Sequence, residues 1–311
     1  MNPAFSVIFL TTLIGAGQGL FVALFGAQLA GYGNPQPEQQ AFLMWGGVVV
    51  MALTGAGLLC SFLHLGRPER AWRTAAMWRS SWLSREVIAL PLFGAGTLAW
   101  TLALAKGGEG SLVLGGLTLL ACAALFICTA MVYASIRFLQ EWASAFTLAN
   151  YTLLGLASGC TLATALAAWD APQLVSGFGV AALLFTALGW ISRALSLRRN
   201  ARLKPLSTLQ SAIGIRHPQI SQRSMGFMGG SFNTREFFHG RTAGALRQVK
   251  WAFLLAAFAL PLALLVLGLA HGYPLALALA FAVQYAGLLA ERWFFLAQAN
   301  HPQNLYYQAV S

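Results

Sequence analysis

The chain has 311 residues, of which 58% are hydrophobic and only 9% are charged. A soluble domain carries about 25% charged residues, so this composition excludes an ordinary soluble protein and predicts an all-α, polytopic membrane protein. The net charge of +11 would suggest nucleic-acid binding in a soluble protein, but here the charges lie between apolar runs. Lipid head groups or a partner subunit are therefore the expected contacts of these charges, and nucleic acid is not.

Eight apolar runs are long enough to cross a bilayer, which takes about 20 residues. The first run starts in MNPAFSVIFLTTLIG, which has no Lys or Arg and so lacks the charged start of a cleavable signal peptide. None of the runs alternates in polarity as barrel strands of about ten residues do, which favours helices. We predict an eight-helix bundle that forms one integral membrane domain over residues 1–311. The predicted spans are residues 4–30, 41–63, 87–105, 112–136, 146–169, 174–191, 251–270 and 273–297.

Between the second and third runs lies a basic loop, HLGRPERAWRTAAMWRSSWLSRE, at residues 64–86. His64 ends one run and Glu86 opens the next, and ionisable groups at the edge of a hydrocarbon layer are usually functional. A His and a Glu can exchange protons with a small redox ligand. The alternative is a loop that only fixes topology, in which both residues cap helix ends or pair with arginines. The arginines that can hold anionic lipid or an acidic protein are Arg67, Arg70, Arg73, Arg79 and Arg85.

Positive charge is distributed unevenly between the two sides of the predicted bundle. With eight spans, both termini share one side with the loops near 64–86, 137–145 and 192–250, and every Lys and Arg except Lys106 falls on that side. The positive-inside rule places this side in the cytoplasm, in a bacterial inner membrane. The loop at 192–250 is too long for a tight turn and rich in aromatic residues and Met, so we expect it to dock a partner subunit.

The histidines and cysteines argue against haem and iron–sulfur clusters in this chain. A membrane haem needs facing axial ligands within two spans, and a cluster needs grouped thiolates. The five histidines lie in loops or at span ends: His64, His217, His239, His271 and His301. The four cysteines are scattered through apolar runs, as small buried hydrophobes are: Cys60, Cys122, Cys128 and Cys160. The sequence therefore predicts a bundle without haem, cluster or other metal.

Six ionisable residues approach the spans, all near the predicted cytoplasmic side: His64, Glu86, Arg137, Glu141, Glu291 and Arg292. Ion-coupled transporters place charges and broken helices at the membrane midplane, so this clustering favours a site on one side over a pathway through the bilayer. We expect Glu291 and Glu141 to pair with Arg292 and Arg137. A quinone site needs an apolar slot, polar partners for two carbonyls and a route for protons, which His64 and Glu86 would provide.

The same loop resembles the dimethyl sulfoxide reductase anchor subunit family, which belongs to the polysulfide reductase-like membrane proteins. The matching stretches are HLGRP at 64–68, Arg70 with Ala71, and SWLSRE at 81–86. The resemblance extends over the whole chain in span number and length. It implies an anchor that binds quinone or quinol, carries no haem, and docks a four-cluster iron–sulfur subunit joined to a molybdopterin catalytic subunit. It implies quinone-binding and proton-exchange roles for His64 and Glu86, with Arg70, Leu65 and Gly66 as neighbours. As supporting residues we add Arg67, Arg85, Glu291 and Arg137.

Residues 209–241, with QSAIGIRHP and GFMGGSFNTREFFHG, resemble more specifically the anchors of cytoplasmic sulfite dehydrogenases. The cytoplasmic docking side deduced from the charges agrees with this. The implied function is electron transfer between the iron–sulfur subunit and the pool of ubiquinone or menaquinone, with quinone reduction coupled to sulfite oxidation. Two alternatives stay open. One is a dimethyl sulfoxide reductase anchor that oxidises menaquinol, and the other is a small-solute transporter.

Overall fold

The computed structural model describes residues 1–33, 36–62, 65–221 and 236–306. This part of the chain is helical without strands, and eight of its helices are long and apolar enough to cross a membrane. The predicted all-α, eight-span fold is thus confirmed. In chain order the helices are α1 (Phe5–Leu29), α2 (Pro37–Phe62), α3 (Trp82–Ala105), α4 (Ser111–Ala134), α5 (Ala145–Asp170), α6 (Pro172–Asn200), the short α7 (Leu209–Ile213), α8 (Ala243–His271) and α9 (Pro274–Ala297).

Several spanning helices are longer than predicted, and α6 and α8 exceed their predicted spans by the most. The sixth span was expected to end at residue 191, but apolar residues keep their helical spacing beyond Arg193, and α6 continues to Asn200. Helix α8 starts at Ala243 rather than at residue 251, because the Thr242 side chain caps it by accepting a hydrogen bond from the Ala245 amide at 3.2 Å. The connection predicted at 192–250 therefore narrows to residues 201–242, of which 222–235 lie outside the described residues.

Helices α1 and α5 form the centre of the bundle. Helix α1 packs against α2, α4, α5 and α9, and α5 packs against α1, α4, α6 and α9. The two helices touch through Gly15 and Gly19 on one and Gly155 and Gly159 on the other. A Cβ atom on Gly19 would lie 2.1 Å from the carbonyl oxygen of Gly155, so the backbones are in direct contact. Small residues spaced by four allow this close approach between membrane helices.

The bundle has two ends, which differ in charge. The basic face carries residues 65–81, 135–144, 201–221, 236–242 and 298–306, and the opposite face carries 30–33, 106–110, 171 and 272–273. At the opposite face Gln28 joins three helices: it accepts a hydrogen bond from the Trp100 indole at 2.8 Å and donates one to the Ser111 hydroxyl at 2.7 Å. Since α1 and α5 both begin at the basic face, Thr11 and Tyr151 lie one turn from the glycine contact toward that face.

Helix α8 contains a π-helical turn at Leu255–Ala259, just before Pro261. The backbone of α9 approaches this turn at Gly287, where a Cβ would lie 2.2 Å from the Ala257 nitrogen. Gln284, one turn earlier in α9, donates to the Thr186 hydroxyl of α6 at 3.0 Å and to the Ala257 carbonyl at 3.5 Å. A side chain thus supplies the hydrogen bond that the widened turn no longer makes within its own helix, as the bilayer interior requires.

Candidate functional site

The segment that joins α2 and α3, which we call the basic segment (residues 65–81), is a surface structure. Its centre is a 3₁₀-helix, Pro68–Met77, that contains no buried residue. Arginine and tryptophan side chains pair along it: the Arg73 guanidinium lies 5.5 Å from the Trp72 ring centroid, and Arg79 lies 5.5 Å from that of Trp78. Exposed Trp beside Arg is typical of the boundary between membrane and water.

Helix α3 begins directly after the basic segment, and its first turns bring Glu86 into the bundle. The Ser81 hydroxyl caps the helix by accepting from the Ser84 amide at 3.3 Å. Arg85 turns back to the surface, where it donates to the Trp78 and Arg79 carbonyls, both at 2.9 Å. Glu86 points the other way, is partly buried, and accepts a hydrogen bond of 2.6 Å from the Thr129 hydroxyl of α4.

A small cavity of about 10 Å³ lies beside the Glu86 carboxylate. Both polar and apolar side chains line it. Its walls come from α1, α3, α4 and α5: Leu10, Thr11, Ile14, Gly15, Gln18, Glu86, Phe126, Thr129 and Tyr151. This volume holds about one water molecule, so a quinone ring enters only if these side chains move apart. The wall nevertheless combines the two features of a quinone site, an apolar slot and polar groups at one end.

A second cavity of about 10 Å³ is also lined by Tyr151. It shares Thr11, Gly15 and Tyr151 with the first cavity, and it is lined in addition by Ser158 of α5 and Arg292 of α9. The Arg292 guanidinium lies over the Tyr151 ring, 3.6 Å from its centroid. Tyr151 therefore lines the cavity beside Glu86 and also carries Arg292 over its ring.

Arg292 belongs to a buried group of three charges, which we call the charged cluster (Arg193, Glu291 and Arg292). The Nε atom of Arg193 lies 2.7 Å from Glu291, and both side chains are fully buried. Arg292 Nη1 lies 3.4 Å from the other oxygen of Glu291. The aromatic rings of α8 and α9 enclose Arg193, and the nearest, Phe253, lies 5.5 Å away. Such a cluster inside a bundle is expensive to desolvate, which favours a functional role over a purely structural one.

The predicted site residues do not lie together: some are at the surface, some are in the interior, and one is not described by the structure. His64 lies outside the described residues, and Leu65, Gly66 and Arg67 stand at the start of the basic segment. Arg70 is exposed and lies 3.8 Å from the exposed Glu69. Of those that the structure describes, only Glu86 and Glu291 reach the interior. Glu86 lines a cavity with Tyr151, and Glu291 lies 3.4 Å from Arg292, whose guanidinium covers the Tyr151 ring.

One predicted pairing is confirmed and another is wrong. Glu291 does meet Arg292, as expected, but its shorter contact is with Arg193. Among the described residues Glu141 makes no ion pair with Arg137: its carboxylate accepts from the Asn300 amide at 3.2 Å, and Arg137 is exposed. The reason is that α4 ends at Ala134, so the two residues lie in an irregular connection rather than one helical turn apart.

The sequence analysis missed Thr129, Tyr151 and Arg193. Arg193 was assigned to a loop because it is charged, although Ser192 and Ser196 beside it share its helical face and the apolar spacing continues past it. Thr129 and Tyr151 lie inside apolar runs, where a hydroxyl that bonds its own helix is common. Which hydroxyl meets a partner depends on helix packing, which spacing along one run does not give.

At the basic face a histidine is held between aromatic rings. His301, after the end of α9, stacks on Phe237 with ring centroids 3.7 Å apart and meets Phe138 edge-on at 5.4 Å. Burial by these rings lowers the pKa of His301 from its ordinary value of 6.5. This contact ties the residues after α9 to those before α8 and to the connection between α4 and α5.

These features define a polytopic α-helical membrane protein with a group of buried polar residues near its basic face. The chain matches the model of the family described as DMSO reductase anchor subunit (DmsC) over residues 1–295, and it belongs to that family. It is 50% identical to a sulfite dehydrogenase subunit of Allochromatium vinosum, with 100% of both chains covered. The chain is thus a membrane anchor subunit of a DMSO reductase-type complex, as its resemblance implied, and the transporter alternative is set aside.

Proposed function

We propose that this anchor binds quinone beside Glu86 and passes electrons between an iron–sulfur subunit and the quinone pool. The observation that carries the proposal is the position of the Glu86 carboxylate. It lies one turn inside α3, hydrogen-bonded to Thr129 and next to an apolar wall, while the basic segment that precedes it stays at the surface. A carboxylate so placed can exchange protons between water and a bound redox molecule.

The substrate of this site is a quinone, ubiquinone or menaquinone, which takes up two electrons and two protons on reduction. The residues present fit such a ligand: Leu10, Ile14 and Phe126 supply apolar contacts, and the Glu86–Thr129 pair supplies hydrogen-bonding groups for a carbonyl. His64 is proposed as the second proton-exchanging group, with Leu65, Gly66 and Arg70 as its neighbours. In this role Glu86 donates a proton to the ligand and is then reprotonated from the basic face.

The proposed partners are a four-cluster iron–sulfur subunit and a molybdopterin catalytic subunit. They would dock on the basic face, which is cytoplasmic in a bacterial inner membrane if the charges follow the positive-inside rule. The surface for this contact comprises the basic segment and the connection from α6 to α8. The full-length identity of 50% to a sulfite dehydrogenase subunit favours quinone reduction driven by sulfite oxidation. The family description names DMSO reductase, so the alternative is the reverse direction, in which the anchor oxidises menaquinol.

The proposal is tested by co-expressing the chain with its neighbouring subunits, purifying the complex and following sulfite-dependent reduction of a water-soluble quinone. Glu86→Gln should abolish quinone reduction while electron transfer from sulfite to a soluble dye, which bypasses the membrane site, continues. Glu69→Gln is the matched control, because Glu69 is an exposed carboxylate of the basic segment that precedes α3. Equal quinone turnover in both variants would remove Glu86 from the site. The same preparation is predicted to show no haem absorption bands attributable to this chain.

A further inference from the structure

The charged cluster is buried with an unbalanced charge. Two guanidinium groups and one carboxylate leave a net charge of +1 on three side chains that are 0% to 6% exposed. Buried charges persist when opposite charges balance them. All eight carboxylates of the chain lie in the described residues, and only Glu86 and Glu291 stand in the inner turns of spanning helices. Glu86 is therefore the other acidic side chain in the interior of the described bundle.

Glu86 and the charged cluster both adjoin the aromatic side chain of Tyr151. Tyr151 forms part of the wall of the Glu86 cavity and at the same time carries the Arg292 guanidinium on its ring face. Tyr133, one turn after Thr129 in α4, stacks on Tyr151 with ring centroids 5.5 Å apart. Apolar and aromatic material screens charge far less than water does, so the charge of the cluster acts on Glu86 across this layer.

The other titratable or charged groups around Glu86 do not replace the cluster. Helix α1 presents Thr11 and Gln18, which carry no charge. Arg85 is turned to the surface by its bonds to the Trp78 and Arg79 carbonyls. The groups to be considered, by helix, are Arg85 of α3, Cys128 and Tyr133 of α4, Tyr151 of α5, Arg193 of α6, and Glu291 and Arg292 of α9, with His64 outside the described residues.

We propose that the charged cluster is a positioning element of the Glu86 site, and that its net positive charge is the counter-charge of the ionised Glu86 carboxylate. Arg292 and Arg193 touch neither the cavity at Glu86 nor its ligand, and they act on it through Tyr151. Their positive charge favours the ionised form of Glu86, which can take up a proton. When Glu86 is protonated during turnover, the cluster charge is left unbalanced, and this favours release of the proton. This inference rests on the proposed function, because the inference concerns the charges that act on the same Glu86 carboxylate.

The test uses variants that change the cluster charge in opposite directions. Arg292→Gln makes the cluster neutral, and Glu291→Gln makes it doubly positive. The double variant Arg193→Gln with Glu291→Gln keeps the net charge of +1 and removes the buried ion pair completely. The control is Gln284→Leu, a buried polar residue of the same helix that faces α6 and α8 instead. For scale, two unit charges about 10 Å apart, at an effective dielectric constant of about 20, change a proton equilibrium on the order of tenfold.

The readout is the protonation of Glu86 in the full chain, purified in lipid nanodiscs without quinone. Infrared difference spectra across a pH series follow the carboxylic acid carbonyl band that Glu86→Gln removes. We expect Arg292→Gln to move the midpoint of this band up by about one pH unit and Glu291→Gln to move it down by about as much. The double variant and Gln284→Leu should leave it in place.

Several outcomes would overturn the inference. The first is a shift of the Glu86 midpoint in the same direction in both single variants. The second is a shift in the double variant as large as that in the single variants. The third is a midpoint that moves in no variant, and the fourth is a Glu86 band that is absent from every variant. If one single variant does not fold, the other single variant compared with the double variant decides. The proposed function fails separately, namely if Glu86→Gln leaves sulfite-dependent quinone reduction intact. That result does not depend on the titration.

Discussion

A methyl group added at the contact between α1 and α5 should disturb the site from a distance. In Gly19→Ala the new Cβ would lie 2.1 Å from the Gly155 oxygen and 2.8 Å from its carbonyl carbon. Both neighbours are backbone atoms, which cannot rotate away, so the helices have to separate by roughly 1 Å to restore normal packing. Overpacking of this kind costs about 1–3 kcal/mol, which corresponds to a fall of several degrees in melting temperature.

The same displacement should reach the Glu86 cavity, because Thr11 and Tyr151 line it one turn away on these two helices. We therefore expect Gly19→Ala to lower both the melting temperature in detergent and quinone turnover in the complex. Gly26→Ala is the matched control: it lies in the same helix, but its Cβ would meet nothing within 4 Å, so stability should stay unchanged or rise slightly. Equal melting temperatures and equal turnover in the two variants would refute the direct backbone contact.

Three further predictions concern the site and the basic face. Thr129→Val removes the hydroxyl that donates to Glu86 at 2.6 Å, so quinone turnover should fall about tenfold while assembly persists, and Thr129→Ser should restore it. His301 has a lowered pKa because the rings of Phe237 and Phe138 bury it, so its neutral form is favoured in the folded chain. The contribution of His301 to the free energy of unfolding is complete above pH 6.5, and it is lost as the pH falls through the lowered pKa of His301 in the folded chain. Proteolysis of residues 298–306 should thus increase in mild acid, but not in His301→Phe. Finally, a site that takes electrons and protons from one side moves no net charge, so turnover in proteoliposomes should not respond to a membrane potential, which is worth about 2.3 kcal/mol per charge per 100 mV.

The fold could be predicted almost completely from the sequence, because membrane helices must satisfy their backbone within each segment. Run length alone therefore predicts both the number and the type of the spans. The errors at the ends of α6 and α8 have different causes. The end of α6 was missed because a charged residue after an apolar run was assigned to a connection, although Arg193 is compensated by Glu291 from another helix. The start of α8 was missed because its Thr242 cap precedes the apolar run.

The site was predictable only in part. The position of Glu86 at the start of a span marked it as a candidate, and packing then supplied what no linear pattern contains. Thr129 bonds Glu86 because α3 and α4 lie side by side, and Tyr151 reaches the cavity because glycines bring α5 against α1. The pairing of Glu141 with Arg137 was wrong for the complementary reason, since two residues close in sequence diverge where the helix ends.

The most direct test of the account is to locate bound quinone in the purified complex. A photoreactive ubiquinone analogue, activated by light and followed by mass spectrometry of the labelled peptides, reports which helices touch the ring. We expect labelling of α1, α3 and α4 around Leu10, Glu86 and Phe126, with competition by unlabelled quinone and loss of the label in Glu86→Gln but not in Glu69→Gln. Competable labelling confined to α6 and α8, unchanged in Glu86→Gln, would contradict it.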